Sequence, residues 1–134
     1  MRYGLHDTLG VRPFCNNTGT AEINTLSLRD DPAYAGGLSV TGGVTVADMG
    51  SNLRVDYMLA GLEATVSAGL HIHSGISCDD TSLVGGHYWN QATLGAADPW
   101  TTTYSTTDGS GGTPGSFEIA AGYSLAEVPD RTTV

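Results

Sequence analysis

Leu53-Arg54-Val55-Asp56-Tyr57-Met58-Leu59 alternates in part between apolar and polar side chains and carries β-branched and aromatic residues, as a half-buried strand does. Gly69-Leu70-His71-Ile72-His73 continues the theme, and similar short runs lie at 21–28, 43–47, 100–107, 115–120 and 131–134. Turn clusters separate them: Asp30-Asp31-Pro32, Gly36-Gly37, Gly42-Gly43, Gly50-Ser51-Asn52 and Asp108-Gly109-Ser110-Gly111-Gly112. Helical periodicity is nearly absent. Short strands punctuated by turns predict an all-β, antiparallel protein, a sandwich or barrel. The threonines of 101–107 fit an exposed strand, because threonine is a good strand former.

The chain has 134 residues, the length of one domain. Apolar residues make up 40% and charged residues 14%, with 19 glycines, which describes a compact and turn-rich chain rather than a disordered one. Its cations are Arg2, Arg12, Arg29, Arg54 and Arg131, and its net charge is -9, so a nucleic-acid backbone would be repelled. No uncharged apolar run is long enough to span a membrane. Two cysteines, Cys15 and Cys78, allow one bridge, and Asn16-Asn17-Thr18 reads as an N-glycosylation acceptor at Asn16. Together they predict an extracellular or cell-surface protein, present here as a mature or excised segment.

The four histidines are His6, His71, His73 and His87. His71 and His73 stand two apart on a predicted strand, so both leave the same face while Ile72 turns to the core. Two converging imidazoles can bind one ion, and imidazole suits copper or zinc. Cys78 follows, and Gly85-Gly86-His87 ends nine residues after it. Near the other end, His6 is followed by Arg12 and Cys15.

These residues resemble the copper/zinc superoxide dismutases. The family motif runs Gly-hydrophobic-His-x-His, then a loop cysteine, then a glycine-preceded histidine with an aromatic after it. Gly69-Leu70-His71-Ile72-His73, Cys78 and Gly86-His87-Tyr88 are similar to it in order. Leu5-His6-Asp7 and Arg12-Pro13-Phe14-Cys15 resemble the family's closing segment, and Asp130-Arg131-Thr132-Thr133-Val134 the strand that leads into it. The resemblance covers nearly the whole chain and is sharpest from Gly69 to Asn90. It implies a Greek-key β-sandwich or barrel of residues 1–134, with 1–15 as its closing segment. The chain would then be a circular permutant or one unit of a tandem array.

Carried over, the resemblance makes His6, His71, His73 and His87 copper ligands, pairs Cys15 with Cys78, and sets Arg12 beside the copper to guide an anion. Such a bridge would contribute about 2–4 kcal/mol. Two departures point to the extracellular copper-only branch. The stretch from Tyr88 to Pro99 has no histidine to complete a zinc site, and only five residues separate His6 from Arg12, too few for the charged steering loop. The implied reaction is dismutation of superoxide to oxygen and hydrogen peroxide, with His87 able to carry a proton. A carboxylate should orient that ring, Asp98 first and Glu118 in reserve. Trp89, Trp100, Tyr57 and Phe117 read as packing, and the Asp30-Asp31 and Asp79-Asp80 pairs as turns. Two other readings use the same residues. One is copper storage without turnover. The other is a glycosylated extracellular filament of identical units that self-associate by passing a strand from one to the next.

Overall fold

The structure, a computed structural model, describes residues 3–7, 10–12, 23–27, 37–74, 81–83 and 85–124. Among them run seven strands: β1 (Tyr3–Asp7), β2 (Gly10–Arg12), β3 (Ile23–Ser27), β4 (Thr41–Met49), β5 (Asn52–Ala60), β6 (Gly69–Ile72) and β7 (Thr113–Ile119). They form two antiparallel sheets, ordered β2-β1-β6 and β3-β4-β5-β7. Among the described residues helix is confined to α1 (Gln91–Leu94) and a 3-10 turn at Thr81–Leu83. The chain is therefore mostly β and antiparallel, as its alternation predicts. Among the described residues no helix is long and apolar enough to cross a membrane.

β5 shows how the alternation acts. Leu53, Val55, Tyr57 and Leu59 are buried, whereas Arg54, Met58 and Ala60 are exposed. Val44 and Val46 of β4 lie on the same buried side, and Leu70 and Ile72 of β6 join them from the other sheet. A two-residue turn links β4 to β5, with Gly50 at a φ of 80°. A positive φ at the first turn residue is what a type II′ hairpin requires of glycine. Gly115 answers a different need. It pairs directly with Tyr57, and a methyl group there would collide with the Tyr57 phenol, which reaches over to Ser105.

The run 100–107 departs from the expectation of a strand. It forms one bridge, Thr103 to Gly69, and otherwise lies as a strap along 66–70 through Leu70 N–H to Thr102 C=O, Tyr104 N–H to Ala68 C=O and Thr107 N–H to Val66 C=O. Threonine hydroxyls take over part of the ladder. The Thr102 hydroxyl donates to the Leu70 carbonyl at 2.8 Å, and the Thr107 hydroxyl accepts from Val66 N–H at 3.0 Å. Side-chain bonds of this kind compete with a regular ladder, which is why a threonine-rich run of strand-forming residues ends as a strap. The predicted run at 131–134 lies outside the described residues, as do Cys15, Asn16 and Cys78.

Candidate metal centre

β6 is buried on both faces. Leu70 and Ile72 enter the core, while His71 and His73 face the opposite way and are still only 8% and 6% exposed. What covers them is the segment that carries His87. Ser74 N–H donates to Gly86 C=O and Tyr88 N–H to Ile72 C=O, both at 2.8 Å, so residues 86–88 run antiparallel beside 72–74. His87 then stands directly across from His73. Gly85, at a φ of 75°, makes the turn into this segment and presents its carbonyl to His73.

The three rings converge. Their centroids lie 4.2 Å apart for His71 and His87, 4.9 Å for His73 and His87, and 6.3 Å for His71 and His73. One nitrogen from each ring falls within 4.8 Å of the others, a set that can hold a metal ion. Two rings have their other nitrogen committed. His73 Nδ1 bonds the Gly85 carbonyl at 2.7 Å, and His87 Nδ1 bonds Oδ2 of Asp98 at 2.6 Å. A carbonyl or carboxylate on Nδ1 fixes the ring orientation and presents Nε2 as the ligand atom, the usual support of a metal-bound histidine. The His73 Nε2 and His71 Nδ1 atoms are both fully buried, whereas the His87 side chain is 23% exposed.

Glycine at position 69 has a cause that its motif alone did not disclose. The His71 ring folds back over it, and a Cβ there would run into Cε1 and Nε2 of that ring. The cross-strand register extends the pattern to β1: His6 pairs with Gly69 and Gly4 with His71. Arg12 is in register with Leu5, which pairs with Leu70, and Val11 is the β2 residue opposite His6.

Of the two carboxylates considered for the His87 ring, Asp98 meets it and Glu118 does not. Glu118 lies on β7, paired with Arg54 in the other sheet. Sequence reading also passed over the Gly85 carbonyl. The doubled glycine before His87 was its signal, since one supplies the positive φ and the other a place in the bridge. Elsewhere, Arg54 and Asp56 form an exposed ion pair at 2.9 Å, and its hydrogen bonds hold the Asp56 carboxyl below the usual range. That pair sits on the outer face of the four-stranded sheet. Searches against protein-family profiles, curated proteins and solved structures return no match to this chain.

Proposed function

We propose that His71, His73 and His87 hold a copper ion, with His6 as a fourth ligand, in a copper-only superoxide dismutase-like protein with a Greek-key fold. The observation that carries this reading is the convergence of three ring nitrogens within 4.8 Å, two of them oriented through Nδ1 by a carbonyl and a carboxylate. An all-imidazole set suits copper and zinc alike, and Cu²⁺ heads the affinity order of the divalent ions. Copper bound there would supply one-electron exchange, taking an electron from one superoxide to leave dioxygen and giving it to a second, which leaves as hydrogen peroxide with two protons drawn from solvent.

The chain's own residues set the conditions for that chemistry. His71 and His73 are buried and rigidly backed by β6, so they serve as fixed ligands. His87 is the more exposed ring and would be the ligand able to release the ion and carry a proton at Nε2, while Asp98 keeps its orientation through Nδ1. Gly69 makes room for the His71 ring. A role for Arg12 in drawing the anion rests on the resemblance, as do a Cys15–Cys78 bridge, a glycan at Asn16 and an extracellular setting.

Metal analysis and a superoxide-consumption assay test the reading. One copper per chain with superoxide turnover, both lost in His71→Ala and His87→Ala, is the expected result. Copper content and turnover unchanged in both variants would refute it, and preferential zinc uptake without turnover would replace copper chemistry with a structural metal.

A further inference from the structure

Asp98-Pro99-Trp100 grips the histidine cluster at three points. Oδ2 of Asp98 holds His87 Nδ1 at 2.6 Å, and the Trp100 indole Nε1–H donates to the carbonyl of the next residue, Tyr88, at 2.8 Å. The indole also meets the His71 ring edge-on, with centroids 6.2 Å apart and planes at 80°. The clip closes on itself as well, since the Trp100 backbone N–H donates to Oδ1 of Asp98 at 2.8 Å. Both carboxylate oxygens are thus engaged, one by the clip and one by the histidine. Pro99 stiffens it, because a proline fixes its own φ and confines the residue before it to extended backbone.

Trp100 is 4% exposed, and its packing alone would make it one more core residue. Its bonds say more. The segment carrying His87 is tied to β6 by the bonds around His73, and on its other side Asp98 and Trp100 hold it together. Trp100 touches both members of the closest ring pair, His71 directly and His87 through Asp98 and Tyr88.

We infer that Trp100 is a positioning residue: it sets the distance and angle of His87 relative to His71 by bracing Asp98 through its backbone and Tyr88 through its indole. This rests on the metal-binding reading only for its purpose, because the brace itself exists without a metal. Removing the indole N–H loosens His87 while leaving every ligand in place.

The experiment uses Trp100→Phe beside Val44→Ala, a core truncation in the other sheet, with two readouts. In the metal-free protein, ¹⁵N chemical shifts report the tautomer of His87. In the wild type the Nδ1–H form should dominate, since Nδ1 faces a carboxylate; in Trp100→Phe the two tautomers should mix, and Val44→Ala should behave as wild type. Copper affinity, measured by competition with a chromophoric chelator, should fall about tenfold in Trp100→Phe, the lower end of what partners behind the ligands contribute, and stay unchanged in Val44→Ala. Should Trp100→Phe fail to fold, Trp100→benzothienylalanine keeps the ring's volume and removes only the N–H. An unchanged tautomer in the Trp100 variants, or an equal loss of affinity in Val44→Ala, overturns the inference. A tautomer shift in a protein that binds no copper even as wild type upholds it and rejects the proposed function instead.

Discussion

β5 and β6 are neighbours in sequence and opposites in design. β5 buries one face and exposes the other, so Leu53, Val55, Tyr57 and Leu59 stabilise the sheet while Arg54 and Met58 meet water. β6 buries both: Leu70 and Ile72 on the core side, His71 and His73 under a polar, irregular segment. Burying imidazoles costs free energy unless their nitrogens are matched; the Gly85 carbonyl meets Nδ1 of His73, and the His87 ring, itself held by Asp98, closes over both. The strand with one wet face holds the fold, and the strand with none holds the site.

That division makes separable predictions. The largest effect on stability should come from Leu53→Ala, which empties a fully buried position and should cost about 2–5 kcal/mol. Thermal unfolding would show it, and copper stoichiometry of the folded variant should not change; a lost metal site would mean the two strands are not independent. Asp98→Asn should reverse the pattern. Copper affinity should drop about 10- to 100-fold, as removal of an orienting partner does elsewhere, while the melting temperature of the metal-free protein stays near wild type. Unaltered affinity would strip Asp98 of its role.

A smaller effect concerns approach of the substrate. With a net charge of -9 the protein repels an anion, so raising salt should screen that repulsion and increase kcat/KM. If Arg12 guides the anion, as the resemblance implies, Arg12→Ala should lower kcat/KM and make its rise with salt steeper. An unchanged rate and salt slope in Arg12→Ala would deny that arginine the role. The smallest effect lies in the 108–112 turn. Backbone N–H groups of Gly112 and then Ser110 hold the exposed Asp108 carboxyl below its ordinary range. A folded-state pKa below the unfolded one stabilises above the carboxylate range and ceases to do so as pH falls through it. Asp108→Ala should therefore melt earlier than wild type at neutral pH, with the gap closing in acid; a gap that persists in acid would assign the loss to something other than the charge.

How much of this was legible in the sequence follows the same line. The alternation of 53–59 and the threonine and valine content of 43–47 announced strands, because a half-buried face imprints a period of two. The His-x-His spacing announced two rings on one face for the same reason. The strap at 100–107 was misjudged, since threonine favours a strand by propensity yet can replace ladder bonds with its own hydroxyl, and propensity does not tell the two apart. Trp100 read as packing because burial is visible in composition and a hydrogen bond to a carbonyl twelve residues away is not. Asp98 was the first choice for the His87 ring and is the carboxylate that meets it; the sheet order that sends β7 to the other side is the reason Glu118 does not.

The most direct test of a shared metal centre is the electron paramagnetic resonance spectrum of the protein loaded with one equivalent of Cu²⁺. Nitrogen superhyperfine structure from at least three imidazoles, reduced in His71→Ala, His73→Ala and His87→Ala alike, is the predicted result. A signal from one nitrogen or none, indifferent to those substitutions, would contradict the claim that the three rings hold one ion.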